Sequence, residues 1–309
     1  MNEESVDMKK VAVMLSSYNG EKYIGKQIES ILSQSYPNVE LYIRDDGSTD
    51  NTVNVIQDFV NRFDNVFLIE SDKNLGYPAC FYALTDDESI LADYYAFADQ
   101  DDYWLKDKIS RAVSILEEQD NRKPYAYYAR YMVCNEGLKA QKKSPAKKSG
   151  ISFAESLFEV CGLEFTQVVN QKAMELIRTY KPKKASARGT WMSPLLTGLG
   201  TVIFDDYCCA YYRRHECAVT NSDTGLFGVW IWRIKEFFFG GFDAYRVLLE
   251  DFNEVVGPHL SKKNKKMIQL FSAKKTIGNQ IKKVFYFGKL RSRWIDEIAL
   301  RIMFLFGRL

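Results

Sequence analysis

Hydrophobic and polar residues follow two alternating patterns along the first 120 residues. Short, mostly apolar runs that are typical of buried strands occur at residues 11–15, 39–44, 66–69 and 94–98. Between them, apolar residues recur every three or four positions, which predicts helices near residues 24–32, 52–63, 78–91 and 105–118. Strands that alternate with helices in this way predict βαβ units, and hence an α/β fold with a mostly parallel sheet flanked by helices.

Polar segments follow three of these strands at the point where each strand ends. They are Ser16–Asn19, Asp45–Ser48 and Asp99–Asp102. Right-handed crossovers bring the ends of parallel strands to one edge of the sheet, where α/β proteins bind their ligands. We therefore expect these three segments to lie side by side and to form the functional site.

The acidic residues of these segments support two kinds of chemistry. Asp99, Asp101 and Asp102 place three carboxylates within four residues, and such groups repel one another unless a cation joins them. Mg²⁺ and Mn²⁺ prefer oxygen ligands and bridge carboxylates to diphosphates. Asp45 and Asp46 can accept hydrogen bonds from a nucleobase or a ribose. The alternative for both groups is a solvated acidic turn before a helix.

Four ordered motifs resemble those of family 2 glycosyltransferases. They read Val-Met-Leu-Ser-Ser-Tyr-Asn-Gly at 13–20, Ile-Arg-Asp-Asp-Gly-Ser-Thr-Asp at 43–50, Asn-Leu-Gly at 74–76 and Phe-Ala-Asp-Gln-Asp-Asp-Tyr-Trp at 97–104. The sequence is similar in particular to the rhamnosyltransferase-like enzymes of bacterial surface-polysaccharide synthesis. This resemblance implies the Rossmann-like GT-A fold.

The resemblance also implies a division of the chain. A glycosyltransferase domain would occupy residues 1–220, with a nucleotide-sugar half at 10–120 and an acceptor half at 121–220. The resemblance ends near residue 220, and the basic and aromatic composition of residues 221–309 indicates a helical extension.

The same resemblance implies roles for individual residues. The donor-binding residues would be Ser16, Tyr18, Asp45, Asp46 and Asp99. A divalent cation, Mn²⁺ or Mg²⁺, would be held by Asp99 and Asp101. His215, in the Tyr-Tyr-Arg-Arg-His segment at 211–215, would complete the metal site. The implied donor is a UDP- or dTDP-linked sugar, and the implied acceptor is a glycan or a lipid-linked molecule.

The implied reaction is an inverting transfer, in which an acceptor hydroxyl attacks the sugar and the nucleoside diphosphate leaves. A carboxylate usually takes the hydroxyl proton. Thr190 stands where the family's catalytic Asp is expected, and a threonine hydroxyl is a poor base at neutral pH. Glu164, Asp205 and Asp206 are the substitute candidates. The alternative is a catalytically weak or inactive glycosyltransferase-like subunit that binds or acts as a scaffold.

The C-terminal tail is strongly basic, because residues 259–309 contain 13 Lys and Arg but only two acids, Asp296 and Glu297. Its helices would either lie on an anionic membrane surface or pack on the core with solvated lysines. In the first case the aromatic residues at the membrane would be Trp232, Phe237, Phe238, Phe239 and Trp294. No nucleic-acid-binding motif accompanies the charge, so nucleic acid is not an expected partner.

Three further features of the sequence indicate where in the cell the protein is found. No run of about 18 apolar residues predicts a transmembrane helix, and residues 1–10 contain no apolar signal region. The six cysteines form no Cys-x-x-Cys pair, which favours reduced core residues. We expect a cytoplasmic protein, either free or peripheral on the inner face of the cell membrane.

Overall fold

The computed structural model describes residues 8–69, 71, 73–146, 150–184, 187–214 and 243–309. The chain folds into two compact units. The first contains Met1–Gly150, Gly162–Thr179 and Gly200–Arg213, and the second contains Ile151–Cys161, Tyr180–Leu199 and Arg214–Leu309. Two pieces of the 121–220 segment therefore cluster with the C-terminal helices.

The first unit is built on one mixed β-sheet. Its strands are β1 (Val11–Ser17), β2 (Val39–Asp45), β3 (Val66–Ile69), β4 (Tyr94–Asp99), β5 (Tyr103–Trp104), β6 (Tyr125–Cys134), β7 (Ala140–Lys143), β8 (Val168–Asn170) and β9 (Thr201–Arg213). Their order is β3-β2-β1-β4-β8-β6-β9-β5, and β7 pairs with β6. The first four strands are parallel, as predicted. The later strands add antiparallel pairs through β5, β7 and β8.

Helices cover this sheet by burying one apolar stripe each. They are α1 (Ile24–Leu32), α2 (Thr52–Val60), α3 (Ala79–Asp86), α4 (Lys108–Glu117) and α6 (Gln171–Thr179), together with the 3₁₀ helix Glu164–Thr166. In α1 the residues Ile24, Ile28 and Ile31 are fully buried, as the helical spacing of these side chains predicts. Each such side chain contributes about 1.5–3 kcal/mol by leaving water.

Two segments differ from the expected secondary structure. Residues 139–150 are basic and polar, which is typical of a loop, but β7 pairs with β6 as an edge strand. All four of its side chains are exposed, so no apolar alternation marks it in the sequence. The apolar stretches at residues 201–204 and 207–212 are separated by two aspartates, which is typical of two strands, but both belong to the single strand β9. A bulge near Asp205 shifts the pairing of β9 with β6.

The described part of the second unit is helical. Its helices are α5 (Phe153–Ser156), α7 (Arg188–Leu199), α8 (Asp243–Val255), α9 (Lys262–Ser272), α10 (Ile277–Val284) and α11 (Trp294–Leu305), with a 3₁₀ turn at Gly257–His259. Aromatic rings form much of the core, where Phe158 packs against Tyr245, Phe271 and Phe304. None of the helices in the described ranges is long and apolar enough to cross a membrane.

Candidate functional site

Strand register brings the three polar segments to one edge of the sheet. Ser17 pairs with Asp45 across β1 and β2, and Ser16 pairs with Asp99 across β1 and β4. The Ser17 hydroxyl donates to Asp45 Oδ2 at 2.8 Å. The three segments thus lie side by side, because three parallel strands end at the same level.

Asp45 closes the loop that follows β2. Its Oδ1 accepts the backbone N–H groups of Gly47 at 3.1 Å and Ser48 at 2.7 Å. Its Oδ2 accepts the hydroxyl groups of Ser17 and Ser48. Gly47 has a φ of 84°, which glycine adopts without strain. Protein donors thus occupy all four acceptor positions of this buried carboxylate, so Asp45 holds the shape of the loop.

Asp46 ties the same loop to the Asn74–Gly76 motif. Its Oδ1 accepts the Leu75 N–H at 2.9 Å, and its Oδ2 accepts the Gly76 N–H at 2.7 Å. The buried Arg44 guanidinium forms an ion pair with the same carboxylate. Burial alone would raise the pKa of Asp46, but the two N–H donors and Arg44 outweigh it and lower the pKa. Asp46 is therefore a charged clamp between two loops.

A side-chain amide links the end of β1 to the acidic cluster. Gln100 Oε1 accepts the Tyr18 N–H at 2.8 Å, and Gln100 Nε2 donates to the Tyr18 carbonyl at 3.0 Å. A Cβ atom on Gly20 would overlap with this amide, so a larger residue there would displace the Gln100 side chain from Tyr18. The Tyr18 ring is 47% exposed, which leaves a face on which a nucleobase can stack.

The acidic cluster after β4 contains one buried and two partly exposed carboxylates. Asp99 and Asp101 are partly exposed, whereas Asp102 is fully buried. Asp102 Oδ1 accepts the Arg213 N–H at 3.3 Å, and its Oδ2 has no hydrogen-bond partner among the described residues. Burial and the charges of Asp101 and Asp99 raise the pKa of Asp102 well above its ordinary value.

Two buried cationic side chains lie around this cluster. Lys108 Nζ donates to the Phe165 carbonyl and lies 3.3 Å from the centre of the Trp104 ring. Burial lowers the pKa of Lys108 to about 8. Arg213, at the end of β9, donates from Nε to the Asp101 carbonyl at 2.8 Å. The sequence motifs assign no role to either residue, although Lys108 falls on the buried apolar stripe of α4, which is a signal for an interior charge.

The donor set fits a hard divalent cation at Asp99 and Asp101. Carboxylate oxygens are the ligands that Mg²⁺ and Mn²⁺ prefer. The unpartnered Asp102 Oδ2 shows that the donors in the described chain do not satisfy the cluster fully. Within the described ranges no three His, Cys, Asp or Glu side chains form a complete ligand set. His215, the further ligand expected from the sequence, lies outside the described residues.

Asp205 and Asp206 lie on β9 and are engaged in ion pairs. Asp205 accepts hydrogen bonds from the Arg111 guanidinium, one of them at 3.1 Å, and from the Tyr127 hydroxyl at 2.8 Å. Burial would raise the pKa of Asp205, but Arg111 and Tyr127 outweigh it and lower the pKa. Asp206 pairs with Arg130 at 2.8 Å. Both carboxylates precede the end of β9 by seven or eight residues, which is roughly 20 Å along a strand.

Glu164 begins a 3₁₀ helix that packs beside the acidic cluster. The ring of the next residue, Phe165, stacks on Tyr212 with 5.5 Å between ring centres. The Phe165 carbonyl accepts the hydrogen bond from Lys108. Because Tyr212 directly precedes Arg213, the turn that carries Glu164 contacts the elements that hold the cluster.

Thr190 lies in the first turn of α7, in the second unit. Its hydroxyl donates to the Ala187 carbonyl at 2.7 Å. It lines a cleft of about 260 Å³ with Glu159, Tyr245 and Arg291, among others. Glu159 is thus a carboxylate in the same cleft as Thr190. The sequence does not indicate this proximity, because 31 residues separate the two positions and no motif surrounds Glu159.

The first part of the chain is similar to a known protein family. Residues 12–159 match the model of the family described as Glycosyl transferase family 2. The dTDP-rhamnosyl transferase RfbG of Shigella flexneri is 38% identical over 105 residues, covering 33% of this chain and 36% of the relative. The putative teichuronic acid biosynthesis glycosyltransferase TuaG of Bacillus subtilis is 27% identical over 212 residues, covering 69% and 82%.

A third relative has a name that includes its acceptor. The UDP-Glc:alpha-D-GlcNAc-diphosphoundecaprenol beta-1,3-glucosyltransferase WfaP of Escherichia coli is 32% identical over 126 residues. The match covers 41% of this chain and 47% of that relative. The chain thus spans less than half the length of RfbG and of WfaP, and most of the length of TuaG.

Solved structures share the fold. Staphylococcus aureus TarS 1–349 in complex with UDP has a TM-score of 0.58 at 17% identity, covering 97% of this chain and 80% of that one. The mannosyltransferase PcManGT of Pyrobaculum calidifontis, in complex with GDP-Man and Mn²⁺, has a TM-score of 0.52 at 12% identity, covering 98% and 86%. At these identities the likeness shows the fold alone. Residues 12–159 are thus similar to family 2 glycosyl transferases, as their motifs predict, and the chain has the predicted GT-A fold.

Asp46→Asn should destabilise the protein in a pH-dependent way. The folded-state pKa of Asp46 is lowered below the unfolded value of about 3.9, so its stabilisation is present above that pH and is lost as the pH falls through the folded pKa. We expect the variant to lose about 3 kcal/mol of unfolding free energy at pH 7, because Arg44 loses a buried partner. The loss should shrink below about pH 4.

Urea unfolding at several pH values measures this difference. Asp64→Asn is the matched control, because Asp64 is exposed and its substitution should change the unfolding free energy by less than about 0.5 kcal/mol. A loss of unfolding free energy in Asp46→Asn that is the same at all pH values would contradict the role of the charged Asp46 carboxylate in joining the two loops.

Proposed function

We propose that this protein is a metal-dependent inverting glycosyltransferase of bacterial surface-polysaccharide synthesis. It would move a sugar from a UDP- or dTDP-linked donor to a glycan or lipid-linked acceptor. The observation that carries the proposal is the register of β1, β2 and β4, which puts Ser16, Asp45 and Asp99 at one sheet edge. The family match and the names of RfbG, TuaG and WfaP support the reaction class and the process.

In this proposal the nucleoside lies over the ends of β1 and β2. The exposed Tyr18 ring stacks on the base, because an aromatic face accepts any base without a specific hydrogen bond. A nucleoside N–H or hydroxyl can reach Asp45 only by replacing a protein donor. The Ser17 and Ser48 hydroxyls are the donors that can rotate away. Asp46 acts on the donor indirectly, by fixing the loop at residues 74–76.

The diphosphate lies beside β4 in the same proposal. Asp99, Asp101 and His215 would hold Mn²⁺ or Mg²⁺, and Ser16 lies next to Asp99 in the register. A bound cation would stabilise the negative charge of the departing diphosphate. It would also offset the repulsion between the carboxylates of Asp99 and Asp101. The complex of PcManGT with GDP-Man and Mn²⁺ supports a cation of this kind.

We assign the general base to Glu164. A base must reach the acceptor hydroxyl within hydrogen-bond distance. Asp205 and Asp206 are paired with arginines and lie far along β9 from the acidic cluster. Glu164 is partly exposed, and its turn packs on Tyr212 beside the cluster. The reaction would take place in the cytoplasm, at the inner face of the membrane if the acceptor is lipid-linked.

A second candidate function is a glycosyltransferase-like binding subunit with little or no activity. The observation that favours it is Thr190, whose hydroxyl is bonded to the Ala187 carbonyl and which replaces the expected carboxylate. The two functions share the donor site and differ in the chemical step. Transfer or donor hydrolysis by the purified protein excludes the second candidate.

Nucleoside diphosphate should bind only together with the metal. Calorimetry with UDP and dTDP should detect binding in Mn²⁺ and none in excess chelator, because the diphosphate otherwise meets uncompensated carboxylates. Asp101→Ala should weaken the binding at least about tenfold, by removing a ligand. Asp107→Ala is the control, since Asp107 is exposed and makes no capping hydrogen bond with its side chain. Binding that is independent of metal, or unchanged in Asp101→Ala, would rule out the proposed site for the metal and the diphosphate.

Glu164→Gln should lower turnover while leaving donor binding intact. Loss of a general base lowers the rate about 100-fold or more. The rate is measured as the release of nucleoside diphosphate from a panel of UDP- and dTDP-sugars, with and without acceptor glycans. Asp206→Asn is the matched control and should change the rate little, because Asp206 is exposed and paired with Arg130. A Glu164→Gln variant with full activity would remove the assignment of the base.

A further inference from the structure

Helix α10 buries polar side chains and exposes apolar ones. Gln280 and Lys283 are buried, whereas Ile277 is 83% exposed and Ile281 is also exposed. Phe285, directly after the helix, continues the same stripe and is 79% exposed. A helix that packs on a core in water normally turns its apolar stripe inward. The orientation of α10 is the opposite.

Specific polar contacts hold α10 in this orientation. Lys283 Nζ donates to the Ala273 carbonyl, and Gln280 Nε2 donates to the Leu309 carbonyl, both at 3.3 Å. Burial lowers the pKa of Lys283 to about 8, which reflects the cost of placing the ammonium group there. The exposed stripe therefore belongs to the packed arrangement and is not produced by a loosely attached helix.

Helix α11 packs against α10 and also exposes an apolar stripe. Trp294 is 72% exposed, and Ile298 and Ile302 follow it at four-residue intervals on the same side. Leu300 and Phe304 of this helix face inward. We call these two exposed stripes together the apolar face, which is made up of Ile277, Ile281, Phe285, Trp294, Ile298 and Ile302.

The connection between the two helices adds a further aromatic residue to this region. Phe287 has a fully exposed side chain. Single exposed apolar residues are ordinary, but two stripes on packed helices with an exposed aromatic between them indicate a binding surface.

The charge around the apolar face is positive. Lys274 and Lys275 are exposed just before α10, Lys282 is exposed on α10, and Arg293 is exposed in the connection to α11. Both acids of residues 259–309 are engaged within the protein. Glu297 pairs with Arg301 at 2.6 Å, and Asp296 lies 3.8 Å from Arg291. The exposed lysines and arginines outnumber the acids, so this part of the surface has a net positive charge.

Helix α9 has the usual orientation, with its apolar side chains inward and its lysines in solvent. Its lysines 262, 263, 265 and 266 are exposed, while Met267, Ile268 and Phe271 are buried. The interpretation as a packed helix with solvated lysines thus describes α9 and does not describe α10 and α11. Of the aromatic residues expected at the membrane, Trp294 is exposed. Trp232 and Phe237–Phe239 lie outside the described residues.

We infer that the apolar face of α10 and α11 docks on the surface of a bilayer that contains anionic lipids. Apolar side chains enter the boundary between headgroups and acyl chains, and the surrounding lysines and arginines meet the lipid phosphates. The helices lie in the plane of the surface, because 8 and 12 residues span only about 12 and 18 Å, less than the hydrocarbon thickness. A second copy of the chain is a poorer occupant, since it would bring the same positive charges together.

Flotation of the full chain with lipid vesicles tests this inference, which does not depend on the proposed transfer reaction. The protein should bind vesicles of phosphatidylcholine mixed with phosphatidylglycerol, bind pure phosphatidylcholine more weakly, and lose affinity as salt is raised.

The double variant Phe285→Ser with Phe287→Ser should bind at least about tenfold more weakly. Because both rings are exposed, the variant should keep the far-UV spectrum and urea midpoint of the wild type. Leu91→Ser, an exposed position in the first unit, is the control and should bind as the wild type does.

Three outcomes would overturn the inference. The first is no binding of the wild-type chain to phosphatidylglycerol vesicles at low salt. The second is equal binding by the wild type and the double variant. The third is a dimer in light scattering that the double variant disperses while neither protein binds vesicles, which would identify a second copy as the occupant.

Discussion

The density of negative charge at the end of β4 is the constraint around which the site is organised. Asp99, Asp101 and Asp102 cannot all be charged at close range without a compensating cation. The protein supplies part of the compensation from inside. Lys108 is buried against Trp104, and the Arg213 guanidinium is bonded to the Asp101 carbonyl. Asp99 and Asp101 remain partly exposed at the sheet edge, which is where an external cation can approach.

Carboxylates at this edge fall into two physical groups. Asp45 and Asp46 are buried and saturated or nearly saturated by protein donors, so they determine the shape of the loops. Asp99 and Asp101 are partly exposed and lie beside a carboxylate whose second oxygen has no partner among the described residues. The difference in burial separates the two carboxylates that hold the loops from the two that are open to a cation. It also explains why charge alone does not distinguish the two groups in the sequence.

Much of the first half of the fold could be predicted from periodicity, because its helices and strands each bury a regular apolar pattern. The convergence of Ser16, Asp45 and Asp99 followed from the topology of parallel strands. The bond between Gln100 and Tyr18 could not be predicted, since it joins residues 82 positions apart through an amide with no distinctive neighbours. The strand β7 carries four exposed side chains and thus no periodic signal. The direction in which α10 faces depends on bonds from Gln280 and Lys283 to distant carbonyls, and an apolar stripe alone does not reveal it.

Donor binding depends most on Asp99 and Asp101, which we propose to hold the metal and the diphosphate of a nucleotide sugar. A crystal structure with Mn²⁺ and UDP, in which anomalous scattering locates the manganese, tests this claim directly. We expect manganese to be bound to the carboxylates of Asp99 and Asp101 and to the diphosphate, with the uracil beside Tyr18. Manganese at other residues, or UDP bound away from the ends of β1 and β4, would contradict it.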